Sequence, residues 1–135
     1  MSSRGSFARN GHITNCEYTT KNITSSGVKI LIGIGNNHSL PEYSHTPNSI
    51  YAKLKKDGVT LHELRFFNEK GFPVFEIAYH PESKINNVNK KDSIVHFHFF
   101  DGINRYPKAY RMDEYPEIKE KYKKYLKEFN LYDKC

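Results

Sequence analysis

Ile50-Tyr51-Ala52-Lys53-Leu54-Lys55-Lys56-Asp57-Gly58-Val59-Thr60-Leu61-His62-Glu63-Leu64-Arg65-Phe66-Phe67 reads as two short alternating runs around an Asp-Gly pair. Alternation of period two places successive side chains on opposite faces of a strand, and Asp-Gly is a strong signal for a tight hairpin. Strands are therefore expected over 50–55 and 60–67. Downstream, Asn68-Glu69-Lys70-Gly71 closes the second strand, and a third over 72–79 ends at His80-Pro81. A fourth follows over 93–100, ending at Asp101-Gly102, after a polar linker over 82–92 that has little to pack and belongs on the surface. Short connections make an antiparallel meander the simplest topology.

Working outward, Val28-Lys29-Ile30-Leu31-Ile32-Gly33-Ile34 reads as a further strand that stops at Gly35-Asn36-Asn37. It either pairs within the domain or closes a dimer. The run from His38 to Asn48 contains Pro41 and Pro47, which lack ladder donors, so a loop laid across the domain is expected. In the C-terminal tail, Ile118, Tyr122, Tyr125, Leu126 and Phe129 recur at helical spacing among Lys and Glu, behind a Pro116 suited to a first helical turn. The expected fold class is α+β: an antiparallel meander of four or five strands packed by one C-terminal amphipathic helix. A polar, partly ordered segment over 1–26 precedes a single domain over 27–135.

At 135 residues the chain has room for one domain, and its ten Tyr and nine Phe supply large rings for a core. Lys and Arg number 21 against 15 Asp and Glu, a net charge of +6 that suits a polyanionic partner without demanding one. Two cysteines, Cys16 and Cys135, are too few for a disulfide framework or a thiolate cluster, and read as free thiols in a reducing compartment. The longest apolar run is too short to span a bilayer, and the N-terminus has no apolar stretch of the signal-peptide kind, so a cytoplasmic protein without membrane partners is expected.

Strand parity carries the functional reading. If Phe75, Ile77, Tyr79, Val95, Phe97 and Phe99 face the helix, then Glu76, His80, His96 and His98 share the opposite face. Glu63, Arg65 and Phe67 join them if Leu64 and Phe66 point inward, with His62 left on the core side or at an edge. Two histidines separated by one strand residue are about 6.5–7 Å apart at Cα, close enough to touch one phosphate or one metal ion. The leading reading is metal-independent RNA cleavage: His96 and His98 as acid and base, Glu76 or Glu63 beside them, and Arg65 or Arg105 for phosphorane charge. Lys53 and Lys55, with Lys108 and Arg111, are expected to hold nucleic-acid phosphates. The alternative uses His80, His96, His98 and Glu76 as ligands for zinc or a similar transition metal. A non-enzymatic nucleic-acid-binding or adaptor module is the remaining possibility.

The run Leu40-Pro41-Glu42-Tyr43-Ser44-His45-Thr46-Pro47-Asn48-Ser49-Ile50-Tyr51, the Asp-Gly hairpin, Glu63-Leu64-Arg65-Phe66-Phe67-Asn68-Glu69-Lys70-Gly71, Ile77-Ala78-Tyr79-His80 and Val95-His96-Phe97-His98 followed by Gly102 and Arg105 carry a resemblance. Together they resemble a small domain of phage proteins from Gram-positive bacteria, also found at the C-termini of polymorphic bacterial toxins. The resemblance implies a nuclease-like fold, with a phage or toxin-system protein as an expected partner beside the RNA that the histidine chemistry suggests. Ala78 departs from it, standing where the toxin-like relatives often carry Asp. That departure counts against an acid-base or metal role for the third strand.

Overall fold

A computed structural model describes residues 7–9, 12–14, 18–33, 39–82, 84, 85 and 91–135. Strands β1 (Phe7–Arg9), β2 (His12–Thr14) and β5 (Tyr43–Ser44) form a small antiparallel sheet in the order β2-β1-β5. The main sheet has eight strands. It contains β3 (Tyr18–Ile23), β4 (Lys29–Gly33), β6 (Ile50–Leu54), β7 (Leu61–Phe67), β8 (Pro73–His80), β9 (Ile94–Asp101), β10 (Asn104–Arg105) and β11 (Tyr110–Arg111). Its order is β10-β9-β8-β7-β6-β4-β3, with β11 also pairing β9.

The α+β character and the β6–β9 meander match the expectation, whereas four or five strands is too few. Polar β3 joins through its hairpin with β4, and β4 lies parallel to β6, with Ile30 opposite Ala52. That parallel pairing is possible because the long connection between β4 and β6 crosses over, as the two prolines allow. The segment after β9 also returns along it twice, placing Arg105 opposite Phe100 and Arg111 opposite His96.

Turn chemistry fixes the meander. Asp57 accepts from the Val59 and Thr60 amides, each at 2.8 Å, and from the Thr60 hydroxyl, closing the β6–β7 hairpin. Between β7 and β8, Asn68 caps the Lys70 and Phe72 amides at 2.9 and 3.0 Å. Gly71 in that turn has φ 87°, and a Cβ there would collide with the Ser44 carbonyl. Only glycine permits both the backbone angle and the close passage of β5.

Cross-strand register sorts the residues onto two faces. Ala52, Leu64, Ile77 and Phe97 form one buried row beneath Met112, Leu126 and Leu131. The helical tail is two pieces, α1 (Pro116–Lys121) and α2 (Lys123–Glu128), rather than one helix. The break falls at Tyr122, whose ring stacks on Phe75 with centroids 4.4 Å apart. Ile118, Tyr122, Tyr125, Leu126 and Phe129 nevertheless pack on the core as their spacing predicts. Burying Leu126 alone contributes about 1.5–3 kcal/mol. Glu128 ties α2 to the β3–β4 turn by accepting from Thr24 Oγ1, Ser25 Oγ and the Ser26 amide.

Cys135, the last residue, packs against the core and donates to the Leu131 carbonyl; burial pushes its thiol up to about 11. Cys16 and Gly35-Asn36-Asn37 lie outside the described residues. Among the described residues no helix is long and apolar enough to cross a membrane.

Candidate metal centre

The face away from the helices is built of two further rows. Tyr51, Arg65, Glu76 and His98 stand opposite one another in sequence across β6, β7, β8 and β9. Lys53, Glu63, Ala78, His96 and Arg111 form the next row, reaching β11. Parity therefore brings Glu76, His96 and His98 together as the alternation requires. The face is only partly open, because Tyr18, Leu31, Leu40, Tyr51 and Phe67 make a second apolar cluster on it.

Glu76 is fully buried and belongs to a clamp of charges. Its Oε2 accepts from Arg65 Nε and Nη2 at 2.9 and 2.7 Å, and its Oε1 from Arg105 Nη1 at 2.7 Å. Arg65 Nη1 also donates to the carbonyls of Leu40 and Pro41 at 3.3 and 2.9 Å, so the proline-containing loop does lie across the sheet. These bonds occupy both carboxylate oxygens of Glu76 and keep Arg65 buried. Arg105 stays nearly half exposed and also approaches Glu63 at 3.7 Å. Burial works to raise the Glu63 carboxyl, yet His62, Arg65 and Arg105 together hold it at about 2.

The histidines are placed differently. His96 Nδ1 lies 2.8 Å from the Ile94 carbonyl, and His98 Nδ1 lies 3.0 Å from the Lys108 carbonyl. A carbonyl only accepts, so each Nδ1 bears the proton and each Nε2 is left with its lone pair. His96 is completely buried, and its Nε2 has no hydrogen-bond partner among the described residues. One ligand atom each from His96, His98 and Glu82 lie within 4.8 Å of one another. Backbone carbonyls that fix the far nitrogen of each ring are the usual outer support of metal-ligating imidazoles.

Two more rings continue the row. His80 meets His96 edge-on at 4.7 Å, and His62 stacks on His80 at 4.9 Å. His62 was expected on the core side or at an edge. The register slips between Lys53 and Leu54, so that Lys53 faces Glu63 and Leu54 faces Leu61, leaving His62 as an extra residue. A β-bulge of this kind re-aims a side chain, and here it turns His62 toward His80.

Of the four residues expected as ligands, His96 and His98 are in the cluster, His80 adjoins it, and Glu76 is committed to the arginines. Glu82 supplies the carboxylate instead, from the linker assigned to the surface. Its position two residues beyond His80 was the available signal, because i and i+2 share a face if the strand direction persists. Arg111 is paired through two bonds to Asp113 at 3.0 and 2.8 Å. Lys108 contributes its carbonyl to His98, while its ammonium lies 4.8 Å from the Tyr110 ring centroid. In the loop laid across the sheet, His45 is exposed and packs edge-on against Tyr43, and His38 lies outside the described residues.

Both central rings are held neutral. Burial lowers His96 to about 4, with the Ile94 carbonyl opposing and His80 and His98 adding to the fall. Burial, then Arg105, lowers His98. A folded-state value below the ordinary 6.5 means that the unfolded chain binds the extra proton first. The stability contributed by neutral His96 is then fully present above pH 6.5 and is lost as pH falls toward 4, by about 3 kcal/mol in total. Urea denaturation of chelator-treated protein between pH 7.5 and 4.5 should show this loss in the wild type and a flatter profile in His96→Gln. Parallel profiles would contradict it.

Comparison with known protein families, with curated proteins and with solved structures finds no match for this chain.

Proposed function

We propose that the chain is a metal-dependent, nuclease-like domain in which His96, His98 and Glu82 hold a zinc-like ion. The observation that carries this reading is a pair of imidazoles whose Nδ1 atoms are held by backbone carbonyls, each ring offering a ligand atom within 4.8 Å of the other's and of a Glu82 carboxylate oxygen, with His96 Nε2 buried and without a hydrogen-bond partner among the described residues. Two neutral nitrogens and one carboxylate oxygen form a ligand set suited to zinc, and three protein ligands leave a position for water or a phosphate oxygen. Such an ion lowers the pKa of its water and polarises the phosphoryl group. Arg105, half exposed and held by Glu76, is a positioned cation for charge that develops on phosphorus. The resemblance to phage-associated and toxin-borne nuclease modules and the charge of +6 point to the same substrate class.

Acid-base cleavage without metal needs a ring that gains and loses a proton near neutrality. A fully buried His96 lowered to about 4 is better suited to donating a lone pair.

Labelled single-stranded RNA and DNA, incubated with chelator-treated protein and with added Zn²⁺ or Mn²⁺, test the reading. Metal-restored cleavage of both nucleic acids is expected, because a metal-activated water does not require the 2′-hydroxyl. Cleavage of RNA alone that ignores the chelator would overturn it in favour of histidine acid-base chemistry.

A further inference from the structure

We propose that a lysine-lined cleft at the hairpin end of the sheet binds the phosphodiester backbone of a single nucleic-acid strand. Its orientation toward the histidine row rests on the function proposed above. The cleft, about 620 Å³, is lined by Lys53, Leu54, Lys55, Lys56 and His62. The β-bulge that turns His62 onto His80 also makes His62 a wall of this cleft. Cleft and ligand cluster are thereby joined through successive ring contacts of 4.9, 4.7 and 5.3 Å, from His62 through His80 and His96 to His98.

Lys55 and Lys56 bring charge to the cleft without a direct ion pair among the described residues. Lys55 Nζ donates to Ser93 Oγ at 2.9 Å and lies 4.3 Å from the Tyr79 ring centroid. Neither contact is an ion pair, and an ammonium has three donors. Among the described residues no carboxylate lies within ion-pair distance of Lys55 or Lys56. Asp57 closes its own turn and acts on Lys55 only through space, and Glu63 lies among His62, Arg65 and Arg105. Closely spaced point charges on one groove suit a chain of phosphates, whose binding releases counterions and falls with salt.

The test uses chelator-treated full-length protein, so that binding is read without turnover, and a fluorescent 20-nucleotide oligothymidylate. The Lys55→Gln/Lys56→Gln variant should bind at least about tenfold more weakly at low salt, with a log–log salt slope reduced by about 1.4 for two phosphate contacts on a single strand. Lys124→Gln/Lys127→Gln, which removes the same charge from α2, should change little. Equal losses in the two variants, or none in either, would overturn the proposal. So would equal dependence on Lys55 and Lys56 in binding vesicles rich in phosphatidylserine, which would assign the cleft to anionic surfaces. Zn²⁺ titration of the same variants separates the two readings: an intact groove without metal binding defeats only the metal centre, and metal binding without groove dependence defeats only this inference.

Discussion

His98→Gln is expected to weaken zinc binding by more than about 100-fold, beyond the 10–100-fold commonly associated with losing an outer partner of a ligand. Three protein ligands are the fewest that define the site, so removing one leaves a single imidazole and Glu82. His98 is the better position for the experiment than His96. Glutamine keeps much of the volume, and its amide can still donate to the Lys108 carbonyl that Nδ1 now meets. Loss of zinc affinity with an unchanged unfolding transition in chelator is the expected pair of results. His80→Gln should be milder, since His80 only borders the cluster and bonds to the Pro81 carbonyl. Equal binding by wild type and His98→Gln in a calorimetric titration would remove this residue from the site.

The second large effect is on stability. Glu76→Gln should lower the unfolding free energy by about 3–5 kcal/mol, the cost of breaking a buried ion pair from one side. Two guanidinium groups converge on the fully buried carboxylate, and glutamine offers them one neutral carbonyl oxygen and an amide NH2 in place of two charged oxygens that now accept three bonds. Arg105→Gln should cost far less, about 1 kcal/mol, because that side chain is nearly half exposed and its charge is screened by solvent. Urea denaturation of the two variants at neutral pH reads the difference. Similar losses would mean that the clamp does not organise the face as the geometry indicates.

Much of this face was legible because parity is rigid: once Ile77 and Phe97 point at the helices, Glu76, His96 and His98 must point away. The roles were less legible than the directions. Nothing in the spacing of Glu76 says that Arg65 and Arg105 will take both of its oxygens, since Arg105 reaches it only through the short return strand after β9. Likewise, the Lys108 carbonyl that sets the His98 tautomer comes from the same return segment, where no strand was expected. His62 was misplaced because a bulge adds one residue and reverses parity locally, and the alternating pattern carries no mark of it. Glu82 shares parity with His80, but it sits beyond Pro81 in a polar linker, where composition argues for solvent. The helix stripe was right in its contacts and wrong in its continuity, because the flat stack of Tyr122 on Phe75 coincides with a break that spacing alone does not reveal.

X-ray absorption at the zinc edge of protein loaded with one equivalent of Zn²⁺ addresses the centre directly. Two imidazole nitrogens at about 2.0–2.1 Å and a carboxylate oxygen at about 2.0–2.2 Å are predicted, with one nitrogen lost in His98→Gln. A shell of oxygen alone, or a spectrum unchanged by His98→Gln, would contradict the assignment.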